Sequence, residues 1–259
     1  MSNQSASQHL SVPTRLLGVL HGALHRRRKY PTIQRVLQHW MYYRENRLPV
    51  RFLADLLTGA RVVAPELPMG VSHAYELPYG ERALLAALIG YLQPELMFEF
   101  GTFSGATTRL LADVAPASCV VHTLDLPDEA ISDREVRAAI GREFRGEPRY
   151  ADRIVSHRCD SRHFDIAAFR GRCDLVFVDA SHAYADVLAD SERALEMVSP
   201  RGMIIWDDYQ SATLGVVQAL NELSQRVSLV RIARSRLVVH APRLFDARSV
   251  GNDAPWSEL

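Results

Sequence analysis

The stretch Phe98–Thr108, FEFGTFSGATT, runs from an apolar segment into a turn with glycines at positions 101 and 105. A helix-like segment follows, so the stretch predicts a strand, a tight turn and a helix. Glycine lets the backbone turn sharply and approach a ligand closely. The turn lacks both the Gly-x-Gly-x-x-Gly dinucleotide pattern and the lysine of a phosphate-binding loop. Taken alone, it is either a structural corner or a binding turn.

Strand-like and helix-like segments alternate downstream of this turn. The predicted strands are Leu96–Phe100, Cys119–Leu124, Ile154–His157, Leu175–Val178 and Met203–Trp206. The predicted helices cover residues 81–92, 105–114, 133–144, 164–169, 183–198 and 214–226. Such alternation predicts an α/β fold with a mostly parallel sheet covered on both faces. Two further strands, at residues 228–232 and 236–240, are too close together for a parallel crossover and predict an antiparallel hairpin.

Length and composition limit the kinds of partner. The 259 residues are 47% hydrophobic, enough for one large core, and 30 basic residues balance 30 acidic ones. This balance gives no reason to expect nucleic acid or an anionic membrane as a partner. No apolar run approaches the roughly 18 residues that a membrane span needs. The three cysteines are odd in number and widely spaced in apolar surroundings, which predicts free thiols and a cytoplasmic protein.

The chain is predicted to have three parts. Residues 1–70 form an N-terminal helical appendage, because apolar residues recur at helical spacing from Pro13 to about residue 58. Residues 71–245 form the α/β domain, and residues 246–259 form a C-terminal tail.

Acidic residues follow the second and third predicted strands. Asp125 lies 24 residues after Gly101, close to the roughly 20-residue spacing at which an acid binds ribose hydroxyls in nucleoside-binding folds. This spacing predicts a nucleoside-containing cofactor, with a helix cap or solvated strand end as the alternative. Asp160 and Ser161 could bind the amino edge of an adenine, although the same pair is common in loops and caps.

The fourth and fifth strands end in three more acids, Asp179, Asp207 and Asp208. Neighbouring parallel strands lie about 4.8 Å apart, so these carboxylates are expected to converge and to repel one another unless a proton or a cation intervenes. An all-oxygen cluster favours a hard ion, Mg2+ first. His182 follows Asp179 by three residues and is the candidate general base for a substrate hydroxyl.

In combination these segments resemble the class I S-adenosylmethionine-dependent methyltransferases. The segments are FEFGTFSGATT, HTLDLP, CDSRHFD, DLVFVDASHAYADVLAD and PRGMIIWDDY. The acidic pair looks closest to the metal-dependent macrocin- and mycinamicin-type sugar O-methyltransferases, whereas catechol methyltransferases usually have an acid and then an asparagine there. The resemblance covers about residues 80–240. It implies a Rossmann-like seven-stranded sheet, mostly parallel with a C-terminal antiparallel hairpin, and makes residues 71–245 the methyltransferase domain.

The resemblance also implies roles for individual positions. The implied residues for S-adenosylmethionine are Glu99, Gly101, Thr102, Ser104, Gly105, Asp125, Leu126, Asp160, Ser161 and Asp179. Positions 99–105 would hold the methionine part of the cofactor, Asp125 the ribose, and Asp160 with Ser161 the adenine. Asp179, Asp207 and Asp208 would hold Mg2+, and His182 would be the general base.

The expected activity is therefore Mg2+-assisted methyl transfer to a hydroxyl of a small molecule such as a sugar, polyol or natural product. A homo-oligomer is also expected, since appendages like the N-terminal one often supply subunit contacts. One alternative is a hydroxylase-like antibiotic-tailoring enzyme, or a catechol-type O-methyltransferase, on the same fold. The other is a non-catalytic partner protein, which is expected to have lost the acids that this sequence retains.

Overall fold

The computed structural model describes residues 31–57 and 77–242. The part of the predicted appendage before residue 31, the predicted boundary near residue 70 and the tail at 246–259 lie outside these ranges. In the described part, no helix has the length and apolar character needed to cross a membrane. The three cysteines are free, as predicted.

One mixed sheet forms the centre of the described chain. Its strands are β1 (Val50–Arg51), β2 (Leu96–Phe100), β3 (Val120–Asp125), β4 (Ile154–Arg158), β5 (Cys173–Val178), β6 (Val198–Trp206), β7 (Val230–Ile232) and β8 (Val238–His240). Their spatial order is β1-β7-β8-β6-β5-β2-β3-β4. Strands β2 to β6 pair in parallel, while β8 pairs antiparallel with both β6 and β7. The predicted α/β class, parallel centre and antiparallel hairpin are confirmed.

Helices cover both faces of this sheet. They are α1 (Pro31–Glu45), α2 (Leu53–Leu56), α3 (Tyr79–Leu92), α4 (Ala106–Val114), α5 (Arg134–Ala139), α6 (Tyr184–Met197) and α7 (Leu214–Leu223). Short 3₁₀ turns lie at Asp128–Ala130, Pro148–Tyr150 and Ser161–His163.

The alternating side chains of β5 show how the two cores are divided. Leu175 and Phe177 point into the core beneath α3 and α4, whereas Val176 and Val178 point into the core beneath α6 and α7. All four are at most 5% exposed. A strand buried on both faces needs apolar residues at every position, which explains the unbroken apolar run that the sequence shows there.

An eighth strand was not predicted. Val50 and Arg51 pair in parallel with Arg231 and Ile232 of β7, so β1 covers an edge of the hairpin. Helix α1 packs against α7, and Arg231 donates a 2.6 Å hydrogen bond to the Tyr42 hydroxyl. The described part of the predicted N-terminal appendage is therefore built into the sheet. The domain boundary near residue 70 stays a prediction.

Two predicted helices differ from the structure. The helix expected at residues 133–144 stops at Ala139, because the amides of Gly141 and Glu143 donate to the carbonyl oxygens of Phe103 and Ser104 instead of continuing the helix. The helix expected at 164–169 is wrong, since this segment is a loop.

That loop closes an aromatic cluster over two histidines. His122 Nδ1 lies 2.9 Å from His157 Nε2, and the rings stack with centroids 5.2 Å apart. Phe164 and Phe169 pack against His157, and Phe169 also packs edge-on against His122. Burial, with repulsion from His157, lowers the pKa of His122 to about 4, and burial lowers the pKa of His157 as well.

This pair should make folding sensitive to mild acid. In the unfolded chain a histidine titrates near pH 6.5, so between about pH 6.5 and 4 the unfolded chain binds more protons and the free energy of unfolding falls as the pH falls. His122→Phe is expected to reduce this slope in urea unfolding measured across that range, whereas His39→Phe, at an exposed position, is expected to keep it. Equal slopes in wild type and His122→Phe would contradict the assignment.

Candidate active site

A cavity of about 800 Å³ opens at the carboxyl ends of the parallel strands. This volume lies within the roughly 300–1,000 Å³ typical of small-molecule sites. Of the predicted site residues, nine line it: Gly101, Asp125, Leu126, Asp160, Ser161, Asp179, His182, Asp207 and Asp208. The structure thus brings together residues from the ends of five strands, as a doubly wound sheet requires.

Gly101 lines this cavity and has an unusual backbone conformation. Its φ is +95°, a left-handed conformation that side chains disfavour. A Cβ at this position would lie 2.0 Å from the carbonyl oxygen of Asp179. The absence of a side chain therefore lets the turn after β2 lie directly against the end of β5.

Asp125, at the end of β3, stabilises the same turn through hydrogen bonds to its backbone. Its Oδ2 accepts hydrogen bonds from the backbone amides of Thr102 at 3.1 Å and Phe103 at 2.8 Å. Its Oδ1 accepts from the amide of Leu126 at 2.8 Å. The carboxylate lines the cavity while it fixes the turn, so one side chain both shapes the site and faces it.

The other four predicted cofactor residues do not line this cavity. Gly105 instead makes room for the protein's own Phe144, whose ring would be 2.5 Å from a Cβ there. Glu99, Thr102 and Ser104 are at most 4% exposed. Side chains alternate along a strand, and that of Glu99 points under α4, where it meets Thr108. Contact of these four positions with a cofactor stays a prediction.

Glu99 is a buried polar centre in its own right. Its Oε2 accepts from the Thr108 hydroxyl at 2.5 Å and the Thr123 hydroxyl at 2.6 Å, while its Oε1 has no partner in the part of the chain that the structure describes. Burial raises the pKa of Glu99 to about 8, so the carboxyl is mostly protonated at neutral pH. A protonated Glu99 ties β2, β3 and α4 together beneath the turn.

Asp160 and Ser161 lie at the end of β4, on the far side of the cavity from β6. The Asp160 carboxylate accepts three hydrogen bonds from Arg162: from the backbone amide at 2.9 Å, from Nε at 3.0 Å and from Nη2 at 2.7 Å. These bonds lower the pKa of Asp160 to about 2. Both residues line the cavity, and their contact with an adenine stays a prediction.

The three strand-end acids, Asp179, Asp207 and Asp208, lie at the other end of the cavity, but they have different neighbours. Ligand atoms of Asp179, His182 and Asp208 all lie within 4.8 Å of one another, close enough for one metal ion to contact all three. Asp207 faces Arg236, whose Nη2 lies 3.2 Å from its Oδ2, and its buried Oδ1 has no partner within residues 31–57 and 77–242. Burial and repulsion from the other acids raise the pKa of Asp179, and burial with repulsion from Asp208 raises the pKa of Asp207 to about 7.

His182 stands at the rim and is half exposed. Its Nε2 lies 2.7 Å from Oδ2 of Asp208. This hydrogen bond raises the pKa of His182. Although burial acts against it, the bond from His182 and the charge of Arg236 hold the pKa of Asp208 below its usual value. With Nε2–H donated to Asp208, Nδ1 is left as the proton acceptor of the ring.

Sequence reasoning missed Arg236 and Glu81. Arg236 precedes β8, and its guanidinium reaches back to Asp208 at 2.9 Å, to Asp207 at 3.2 Å and to Glu81 of α3 at 2.8 Å. Glu81 is only 5% exposed, and these acids keep the pKa of Arg236 above its usual value despite burial. The cation expected among the acids is therefore supplied in part by the chain itself. A clue existed in Glu81, a lone acid within an apolar helix.

Comparison with protein families supports an enzymatic role. Residues 98–209 match the family model described as "Methyltransferase domain". The match runs from β2 to just beyond the acidic pair after β6, and so includes Asp125, Asp179 and His182. It confirms the predicted enzyme class, a methyltransferase. No curated protein is similar enough to the chain to count as a match.

Solved structures with a similar architecture include three bacterial proteins. A Staphylococcus aureus protein provisionally assigned as a caffeoyl-CoA O-methyltransferase has a TM-score of 0.51 and 14% identity, over 63% of this chain and 83% of its own. An O-methyltransferase from Bacillus cereus has a TM-score of 0.49 and 19% identity, over 65% and 84%. TomG, an O-methyltransferase of tomaymycin synthesis from Streptomyces achromogenes, has a TM-score of 0.47 and 16% identity, over 64% and 82%. At 14% identity, the first likeness shows a shared fold.

Proposed function

We propose that the protein transfers a methyl group from S-adenosylmethionine to a hydroxyl oxygen of a small molecule, with a divalent cation, Mg2+ first, bound beside the acceptor. The observation that carries this proposal is the placement of His182, Asp179 and Asp208 at one end of a cavity whose other end is lined by Asp125 and Ser161. A methyl donor lying along the cavity would have its nucleoside near β3 and β4 and its sulfonium toward β5.

The residues present suit that donor. Gly101 lines the cavity and lets the turn lie against the end of β5, and Asp125 keeps this turn in one conformation. Because Asp125 receives three backbone hydrogen bonds, its carboxylate is held in one orientation toward the cavity. When bound, S-adenosylmethionine supplies an electrophilic methyl group. The protein's part is to position the acceptor oxygen in line with that methyl group.

The residues also suit a divalent cation at Asp179 and Asp208. Both are carboxylates at the cavity, as Mg2+ prefers. Arg236 contacts both Asp207 and Asp208, so this contact does not distinguish the two acids. We propose Asp179 and Asp208 as the principal ligands because their ligand atoms and that of His182 lie within 4.8 Å of one another, with Asp207 as the third carboxylate beside them. When bound, Mg2+ would make an acceptor hydroxyl more acidic and hold vicinal oxygens in place.

His182 is proposed as the general base. Its Nε2–H is directed at Asp208, so the ring orientation is fixed and Nδ1 is the nitrogen that takes the proton. Its half-exposed position at the rim leaves room for a substrate hydroxyl next to it. A sugar, a polyol or another hydroxylated natural product would suit this end of the cavity, which is strongly polar.

Removal of the His182 imidazole tests this role. His182→Ala is expected to lower turnover about 10²- to 10⁴-fold, the usual contribution of a positioned general base, while binding of S-adenosylhomocysteine stays nearly constant. Turnover is measured against a panel of sugars, polyols and catechols, with the product identified by mass spectrometry. His163→Ala is the matched control, because His163 is 78% exposed. Unchanged turnover in His182→Ala would remove this residue from the mechanism.

The mass of the product also decides between the alternatives. Addition of a CH2 unit indicates methyl transfer, whereas addition of an oxygen atom indicates the hydroxylase-like activity. A protein that binds S-adenosylhomocysteine but converts no acceptor would favour a non-catalytic partner, although the retained acids at the cavity argue against that role.

A separate experiment tests the cation. Calorimetric titration with Mg2+ and Mn2+ is expected to show binding to the wild type. Asp179→Asn is expected to weaken this binding by about tenfold or more, because even the loss of a residue that only hydrogen-bonds to a metal ligand has an effect of that size. Asp186→Asn, which removes another acid of the cavity wall, is expected to leave it almost unchanged. If activity persists after exhaustive EDTA treatment, the metal is not required.

A further inference from the structure

Arg236 is a permanent positive charge among the acids that are proposed to bind the cation. It lines the cavity, and its Nη1 lies 2.9 Å from Oδ1 of Asp208 while its Nη2 lies 3.2 Å from Oδ2 of Asp207. The same guanidinium donates to Oε2 of Glu81 from Nη2 at 2.8 Å and from Nε at 3.1 Å. Arginine is not deprotonated in proteins, so this charge is present whether or not a metal ion is bound. No step of the proposed reaction uses it.

The backbone of Arg236 is held beside the acids as well. Its amide donates to Oε1 of Glu81 at 2.7 Å, and its carbonyl oxygen accepts from the amide of Tyr209 at 3.0 Å. Tyr209 directly follows Asp208 and is only 1% exposed. The connection between β7 and β8 is thus attached both to α3 and to the segment that carries Asp208, which keeps the guanidinium in place.

Asp208 already has hydrogen-bond donors on both oxygens. Its Oδ1 accepts from Arg236 and from Nε2 of Gln210 at 2.8 Å, and its Oδ2 lies 2.7 Å from Nε2 of His182. A carboxylate has about four lone-pair positions, so these three donors among the described residues leave about one. A metal ion that binds Asp208 must take that position or displace a donor. In either case it shares one carboxylate with Arg236, and the two positive charges repel each other.

We propose that Arg236 is a built-in counter-ion, which holds the acids together when no metal is bound and lowers their affinity for a divalent cation. This rests on the proposed function, because it concerns the cation site of the same cavity. Arg236 is a positioning residue here, since it acts on the cation through Asp207 and Asp208. Glu81, buried on α3, partly neutralises Arg236 and so favours the cation.

The two residues therefore have opposite expected effects on metal binding. Loss of the Arg236 charge leaves one more unbalanced negative charge at the acids, which attracts a cation. Loss of the Glu81 charge leaves Arg236 less neutralised, which repels a cation. If the network were merely structural, either change would disturb the acids and weaken metal binding.

The test is calorimetric titration of the full chain with Mg2+ and Mn2+ in mildly alkaline buffer, where protons compete less for the acids. Arg236→Met is expected to bind about tenfold or more tightly than the wild type, although the same change is expected to destabilise the protein. Glu81→Gln is expected to bind more weakly than the wild type. Arg236→Lys keeps the charge and should stay near the wild-type affinity. Arg162→Met, the matched control at the β4 end of the cavity, should leave the affinity almost unchanged.

Urea unfolding gives a second measurement of the same effect. A ligand that binds only the folded chain stabilises it more when its dissociation constant is smaller. Addition of Mg2+ should therefore raise the urea midpoint of Arg236→Met more than that of the wild type. Equal shifts would overturn the inference.

The outcomes separate this inference from the proposed function. If neither the wild type nor Arg236→Met binds Mg2+ or Mn2+, the proposed cation site and the inference are both overturned. If the wild type binds and folded Arg236→Met binds equally or more weakly, the inference alone is overturned. Should Arg236→Met fail to fold, Glu81→Gln decides, and unchanged or tighter binding in that variant overturns the inference.

Discussion

Arg236→Met is expected to destabilise the protein by about 3–5 kcal/mol, the usual cost of removing one partner from a buried ion network. Arg236 is 26% exposed, whereas the side chains of its partners Glu81, Asp207 and Asp208 are 7%, 5% and 12% exposed. Without the guanidinium these carboxylates would repel one another in a poorly solvated place. Methionine retains the aliphatic length, so the measured loss reports mainly the charge and its hydrogen bonds. The free energy of unfolding is obtained from urea titration at neutral pH.

A surface pair provides the control for that experiment. Arg226 pairs with Glu192, but their side chains are 54% and 48% exposed. Exposed pairs contribute little because water and salt screen them, so Arg226→Met should leave the free energy of unfolding almost unchanged. A double variant, Glu81→Gln with Arg236→Met, should recover part of the loss by removing one of the unpaired acids. Equal losses in the two single arginine variants would contradict the buried network.

Gly101→Ala is expected to cost about 2–6 kcal/mol, combining the penalty of a side chain at positive φ with that of overpacking. The new Cβ would lie 2.0 Å from the carbonyl oxygen of Asp179, and backbone cannot move aside as a flexible side chain can. Any relief must separate the turn from the end of β5, which also displaces Asp179. Binding of S-adenosylhomocysteine should therefore weaken together with stability, as measured by calorimetry and urea unfolding.

Gly146 separates the two contributions. Its φ is +82°, yet an added Cβ would have nothing within 4 Å. Gly146→Ala therefore carries the conformational penalty alone, and the additional loss in Gly101→Ala measures the contact with Asp179. If both variants lose the same free energy, the close approach at Gly101 has no consequence for stability.

The positions of strands and strand-end acids could be predicted because both depend on local pattern. Apolar runs predicted β2 and β5. Because these strands are parallel, the residues that follow them lie at the same edge of the sheet. Counting along the chain put Asp125, Asp179 and His182 at or just after strand ends, and the structure has all three lining the cavity. The β7–β8 hairpin followed from the length of its connection.

What sequence could not supply was pairing across long separations and the direction of single side chains. Arg236 pairs with Glu81 only because the fold brings the β7–β8 hairpin beside α3. No local sequence pattern predicts a contact between residues so far apart. The resemblance implied a cofactor role for Glu99, and no local pattern showed that its side chain lies under α4 against Thr108. Val50–Arg51 is too short to show a strand period, so β1 could be found only from its partner.

The pairing of β1 has a consequence for the order of events during synthesis. Val50 and Arg51 leave the ribosome early, but their partners Arg231 and Ile232 are made only after the whole parallel centre of the sheet. Contacts between residues so far apart in sequence close slowly, because a long loop must first be ordered. The hairpin edge therefore stays open until translation has passed residue 232, and the early segment then completes the sheet.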